Sequence, residues 1–336
     1  MLEEQKKHRP PGSMVIIDEV QKIPQLFDVV HSQIEKKHFL FALTGSSSRK
    51  LKRQGVNLLA GRAFIYYLFP FTHLELGKNF DLNQVLTWGS LPKLFSFDHN
   101  LDRIDFLNAY TDTYLREEII AEQIIRNTIP FRQFLEVAAQ ANGKIVNYSN
   151  IAKAVGVDTV TVQNYFQILE DTFTGIILPP FHESIRERQR KNPKFYYFDI
   201  GVTRALQNRL TLPLIEQSFE LGDLFEQFIV LEIFRLNSYL RKSWKLSYLM
   251  TKNDVEIDLI IERPGQKRLL IEIKSTNQVT TLLNTMTGFR QLITDFPNSE
   301  AVCISRDTTE FIEGNIRFLN WKTLLTELLA MAPFKL

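Results

Sequence analysis

Two aliphatic runs, "VEIDLIIER" at 255–263 and "RLLIEIKS" at 268–275, are separated only by "PGQK". A Pro-Gly turn between two runs of strand length allows little besides an antiparallel hairpin. Strand residues alternate faces. Leu269, Ile271 and Ile273 therefore share one face, and Leu270, Glu272 and Lys274 the other. On the partner strand Ile257, Leu259 and Ile261 form the apolar face, while Glu256, Asp258, Ile260 and Glu262 form the other. The simplest register sets Ile261 opposite Leu269, which puts Asp258 across from Glu272 and Glu256 across from Lys274. A slip of two residues keeps the faces and changes these partners.

Directly opposed strand residues have Cβ atoms about 4.5–5.5 Å apart. Two carboxylates at that spacing repel unless a positive group joins them, and Mg²⁺ would turn the repulsion into ligation. The plainer alternative is an amphipathic hairpin with its charged face in water. Ile260 and Leu270 lie among the charges and argue that this face is partly covered. A long amphipathic helix from about 216, "IEQSFELGDLFEQFIVLEIFRLNSYL", precedes the hairpin, and its Glu226 is placed to complete the site. The expected order from there is α-β-β-β-α-β, a separate α/β unit.

The N-terminal part reads as a second α/β layer. "MVIID", "HFLFALTGS" and "AFIYYLFPF" are strand-like, and "QLFDVVHSQIEK" has helical spacing. The first strand, being fully apolar, is expected to be buried in a parallel sheet. Asp18 and Glu19 follow it, Thr44 ends the next strand, and Arg62 lies in "LAGRAF". Acids at a strand end project from a rigid sheet into a crevice, where they can orient Mg²⁺ and polarise water.

Between these units, "YSNIAKAVGVDTVTVQNYFQILED" has the form of two helices crossing at a turn. Ser149 is the expected N-cap, Ala152 the small contact residue, Gly156 the turn and Val162 the anchor. Asp158, Thr159, Thr161, Gln163 and Asn164 would start the second helix with groups able to bond base edges. Downstream, Arg186, Arg188, Arg190, Lys191 and Lys194 form a basic tip between two strand candidates, suited to phosphates. The alternatives are a solvated loop and a protein–protein spacer.

The strings "VIIDEVQKIP", "LTGSSSRKL", "LLAGRAFIYYLFPF" and "NPKFYYFDIG" resemble the predicted prokaryotic ATPases of the AAA+ group that carry a C-terminal domain of unknown function. The resemblance covers Val15 to about Ser275. It implies an α/β multidomain fold: a partial P-loop ATPase sheet (1–115 with a helical extension), a winged helix-turn-helix (116–212) and a restriction-endonuclease-like α/β domain (213–336). Asp18 and Glu19 would be the Walker B pair, with Thr44 and Arg62 as accessory nucleotide-site residues. The glycine-rich Walker A string G-x-x-x-x-G-K-[ST] does not occur, and 17 residues precede Asp18. The expectation is a family member truncated at its N-terminus, with tight ATP binding lost, and with residues 1–75 marginally stable or prone to adhere to other chains. The acid, spacer and E-x-K pattern resembles the PD-(D/E)XK fold, with Ile257 where the naming motif has proline. That resemblance makes Asp258 and Glu272 Mg²⁺ ligands, Lys274 a water-positioning group and Glu226 the helix acid.

The functional expectation is DNA association with possible Mg²⁺-dependent cleavage. The alternatives are an ATPase completed by a missing N-terminal segment or partner, and a non-catalytic interaction scaffold with a protein partner. A net charge of +2 over 336 residues announces no global nucleic-acid or membrane field. The polar N-terminus lacks a signal-peptide core, and the longest apolar run carries Arg62 and falls short of the roughly 20 residues a span needs. One cysteine, Cys303, excludes an internal disulfide and suits a cytoplasmic setting and a core position. The six histidines show no ligand spacing.

Overall fold

A computed structural model describes residues 10, 12–45, 61–114, 128–183 and 192–330. The chain divides into two compact units, 1–66 with 167–174, and 67–166 with 175–336.

In the first unit β1 (Ser13–Ile17), α1 (Leu26–Glu35) and β2 (Phe39–Leu43) form a parallel β-α-β crossover, with Val15 paired to Phe41 and Ile17 to Leu43. Val20, Phe27 and Val30 make its core with Ile17, Phe41 and Leu43. Met14, Ile16 and Leu40 are exposed, so β1 is not buried on both faces as its composition suggests. The third expected strand, at 63–71, forms no ladder, and Phe64, Ile65 and Tyr66 are exposed. Apolar composition makes a strand only where a neighbour offers a free edge, so periodicity alone misjudged this segment.

The larger unit begins with short helices α2 (His73–Leu76), α3 (Leu82–Trp88) and α4 (Asn100–Ala109). Helices α5 (Thr128–Gln140), α6 (Tyr148–Val155) and α7 (Thr159–Asp171) follow; the last of these runs on into the segment grouped with the first unit. Gly156 takes a left-handed conformation (φ +74°) at the end of α6, where its N–H bonds Ala152 O at 2.9 Å. Ala152 and Val162 are buried at the crossing. The cap of α6 is Asn147 rather than Ser149: the Asn147 side chain accepts the Asn150 N–H. An antiparallel hairpin, β3 (Gly175–Leu178) and β4 (Lys194–Tyr197), leads to α8 (Ile200–Leu206).

Asp199 caps α8 through Val202 N and also accepts the Ser90 N–H at 2.7 Å, tying the α3 end to this turn. The backbones approach so closely that a Cβ on Gly201 would lie 1.9 Å from Trp88 O. Gly201→Ala is therefore expected to cost about 1–3 kcal/mol, read as a lower urea midpoint with an unchanged slope. A midpoint equal to wild type would mean that the backbones separate freely.

Helix α9 (Phe219–Tyr239) starts where the Ser218 side chain accepts the Leu221 N–H, three residues after the expected start. The chain then builds β5 (Lys245–Met250), β6 (Glu256–Glu262), β7 (Arg268–Ile273), α10 (Thr287–Leu292), β8 (Ser299–Ser305), β9 (Phe311–Glu313), β10 (Ile316–Asn320) and α11 (Trp321–Ala330). The six strands form one mixed sheet, β5-β6-β7-β8-β10-β9, with β7, β8 and β10 mutually parallel. Leu259, Ile261, Leu269, Ile271 and Ile273 pack with Phe225, Ile229 and Leu328 on one face. Ile260, Leu270 and Cys303 pack with Met286 and Phe289 on the other. Burial on both faces is why these strands read as continuous aliphatic runs.

The β6–β7 ladder pairs Leu259 with Ile271, Ile260 with Leu270 and Ile261 with Leu269, the register that the turn length suggested. Ile257 departs from its expected face and joins the second cluster. The cause lies on the other side of β6. Ser247 pairs with Ile260 and Leu249 with Ile257, so Asp258 and Leu259 together face Tyr248 alone. This bulge resets the alternation immediately around Asp258.

Candidate metal-binding acidic site

Asp258 sits at the bulge and is 7% exposed. Where the β6–β7 ladder would continue, its Oδ2 instead accepts the Ile273 N–H at 2.7 Å. The side chain thus completes the sheet and is held rigidly by it, which leaves Oδ1 for other work. Glu272, 9% exposed, comes from β7, with Oε1 2.7 Å from Lys274 Nζ. Its Oε2 is buried with no hydrogen-bond partner. An orphaned carboxylate oxygen costs about 1–3 kcal/mol or more, and a cation would satisfy it.

Glu226 reaches the cluster from α9, accepting from Tyr196 Oη at 2.6 Å and from Lys194 Nζ at 2.8 Å. Lys194 Nζ is also 2.5 Å from Glu256 Oε1, a charge contact without the alignment of a hydrogen bond. Lys194 is only 3% exposed. Its place among the basic tip residues in sequence gave no hint of this. The hint is local: it begins the strand "KFYY", whose residues are all buried.

The electrostatics follow from this crowding. Burial first, then the Glu272 and Glu226 charges, push the Asp258 carboxyl well above the usual carboxylate range. Burial raises Glu272 as well, against the pull of Lys274. Burial pulls Lys194 down, but Glu226 and Glu256 outweigh it and hold its ammonium above the usual lysine value. Lys274 is held up in the same way, burial working against Glu272 and Asp258. Cys303, paired with Glu272 across β7–β8, has its thiol pushed up to about 12 by burial and the Glu272 charge, so it is an inert core group. Among the described residues no group of three or more His, Cys, Asp or Glu side chains forms a ready metal cage.

The other candidates lie elsewhere. In the first unit, Thr44 donates its hydroxyl to Asp18 Oδ1 and accepts the Glu19 N–H at 3.2 Å, so these three converge at the strand ends. Glu19 is left-handed (φ 52°) and also accepts from Gln21 at 2.8 Å. Arg62 is engaged with Glu35 at 2.8 Å, at the end of α1. In the larger unit, Gln163 and Asn164 are exposed on α7 and Thr159 is half-buried. Thr161 serves the helix start: its N–H and hydroxyl both donate to Asp158, at 2.8 and 2.7 Å. Arg186, Arg188, Arg190 and Lys191 lie outside the described residues.

Three family profiles match parts of the chain: an AAA domain over 1–77, a domain of unknown function (DUF8612) over 79–212 and another (DUF4143) over 221–324. Uncharacterized proteins of Mycobacterium bovis and Mycobacterium tuberculosis are each 27% identical over 271 residues, covering 79% of this chain and 59% of theirs. The chain thus spans about three-fifths of the length of these curated relatives. Among solved structures, Can2 from Sulfobacillus thermosulfidooxidans in complex with cyclic tetra-adenylate aligns over 99% of this chain and 95% of that one, at 12% identity and a TM-score of 0.24. The Thermococcus gammatolerans McrB AAA+ assembly with bound McrC aligns over 56% and 70%, at 11% identity and a TM-score of 0.19. Scores this low carry no weight for fold or activity. No helix among the described residues is long and apolar enough to cross a membrane. The profile matches support an AAA-like ATPase relationship at the start of the chain and a relationship to a domain of unknown function at its end.

Proposed function

We propose that the C-terminal sheet is a PD-(D/E)XK-type nuclease module that cuts DNA phosphodiesters with a divalent cation, preferably Mg²⁺. The observation that carries this is the convergence of Asp258 and Glu272 from adjacent strands, with Glu272 Oε2 buried and unpartnered and Lys274 alongside. Asp258 Oδ1 and Glu272 Oε2 would hold the ion. Mg²⁺ keeps several waters and commonly takes only one or two protein carboxylates, so two acids without a full cage suit it. Bound there, the ion would lower the pKa of a coordinated water and offset charge developing on phosphorus. Lys274, held by Glu272, would position that water. Glu226, fixed by Tyr196 and Lys194, keeps the far wall of the site acidic.

In this reading α6, α7 and the β3–β4 hairpin are a winged helix that brings DNA to the module, with Gln163 and Asn164 available to base edges. The test is cleavage of plasmid and single-stranded DNA in Mg²⁺ or Mn²⁺. Glu272→Gln should slow it by about 100-fold or more. Cleavage persisting at the wild-type rate would assign the activity elsewhere. The second reading, an ATPase completed by a phosphate-binding loop from another segment or chain, draws on the meeting of Asp18, Glu19 and Thr44. Calorimetric titration with MgATP tests it, and absence of heat at millimolar nucleotide would count against it for this chain alone.

A further inference from the structure

Lys194 is an unusual neighbour for a cation site. Its backbone is clamped on both sides, by Leu178 in the hairpin and by a bridge to Ile145. Val146 N bonds Pro193 O and Gly143 N bonds Phe195 O, each at 2.8 Å, so the strand cannot slide easily. The ammonium touches Glu226 from α9 and Glu256 from β6, and lies 5.6 Å from the centre of the Tyr248 ring. Three elements of the larger unit therefore meet on this one charge.

We infer that Lys194 is a built-in cation that fills the place of a second metal ion between Glu226 and Glu256, limiting the acidic site to a single divalent ion. The inference rests on the proposed metal site at Asp258 and Glu272, and it fixes how that site is loaded. Charge balance supports it. With Asp258, Glu272, Glu226 and Glu256 all ionised, Lys194 and Lys274 neutralise half the cluster. Two negative charges remain among these six groups, the neighbouring Asp223 being offset by Lys144, and one divalent ion balances them. A second ion would leave the pocket positive and would have to displace a buried lysine whose removal strands two half-buried carboxylates. Replacing Lys194 by a neutral side chain of similar length vacates the position and leaves Glu226 and Glu256 facing each other. That is the condition under which two carboxylates recruit a cation.

The experiment is a Mn²⁺ titration of the full chain, counting bound ions by calorimetry and by the loss of free-Mn²⁺ electron paramagnetic resonance signal. Wild type should bind one ion at the acidic site, and Lys194→Met should bind two. Lys194→Arg, which keeps the charge, should remain at one. Lys194→Met/Glu226→Gln should return from two to one. If wild type and a folded Lys194→Met both bind one ion, the inference fails while the metal site stands. If wild type binds two and Asp18→Asn still binds two, the inference fails without any Lys194 variant being needed. If wild type binds none, the metal site fails and the inference falls with it. Where the far-ultraviolet circular dichroism signal shows that Lys194→Met does not fold, the count is taken on Lys194→Gln, which should bind two ions; one ion there overturns the inference.

Discussion

Asp258→Asn is expected to abolish divalent-dependent cleavage and, in the cation-free protein, to raise the thermal midpoint. The two effects share one cause. Asp258 is buried beside Glu272 and Glu226, so ionising it without a cation is costly. Asparagine keeps an acceptor for the Ile273 N–H, which Asp258 Oδ2 now takes, and its amide can donate toward the orphaned Glu272 oxygen. The gain should be about 1 kcal/mol, or roughly 2–4 °C for a unit of this size.

The sign of its pH dependence is fixed. The folded-state pKa of Asp258 is raised, so its contribution to stability is fully present below the unfolded value, about 3.9, and is lost as pH rises through the folded value. Wild type should therefore fall progressively behind Asp258→Asn as pH rises above about 4. Glu272 titrates with Asp258 as a pair, so the gap reports on both, under the influence of Glu226, Lys194 and Lys274. Melting curves in chelator across that range test the point. A gap that stays constant or narrows would show that Asp258 carries its charge without strain, and the case for a cation there would lose its physical basis.

Asp199→Ala should cause the largest loss of stability, about 3–5 kcal/mol. Asp199 is fully buried and accepts from Ser90 N and Val202 N. It also offsets Arg235, whose guanidinium, 3% exposed, donates to Phe198 O at 2.7 Å and to Phe71 O and Ser90 Oγ at 3.2 Å each. Arg235 has a second acid 3.7 Å away, Glu232, which itself holds His73 Nδ1 at 2.5 Å. Removing Asp199 leaves two interior N–H groups without acceptors and weakens the neutralisation of a buried cation. The fall in thermal midpoint should be about 10 °C. Asp199→Asn, which keeps one acceptor, should lose distinctly less. A loss for Asp199→Ala of less than about 0.5 kcal/mol would mean that water enters and replaces the carboxylate.

Much of the acidic site was legible because its signals are local. The Pro-Gly turn and the alternation of "RLLIEIKS" set the register, and register alone brings Asp258 toward Glu272. The bulge opposite Tyr248 was not legible, because it is a property of the β5–β6 pairing and neither strand records it. It moved Ile257 to the other face and freed Asp258 to bond Ile273 N. Lys194 was grouped with the phosphate-facing basic tip because a lysine beside "RERQRK" reads as a surface charge, and its actual partners Glu226 and Glu256 are remote in sequence. Thr161 was read as a base contact because a threonine that binds the helix start and one that faces solvent have the same letter and spacing. At β1 the apolar string gave the strand and its parallel partner, while the coverage of its second face depends on neighbours that the string does not encode.

The linear chain thus settled what short-range periodicity and turn chemistry can settle: which segments extend, which coil, how the hairpin pairs and which two acids it opposes. Only tertiary packing decided that a lysine from a distant strand would enter the acid cluster. Charge pairs of this kind form between elements far apart in sequence, and no local pattern carries their Coulomb energy.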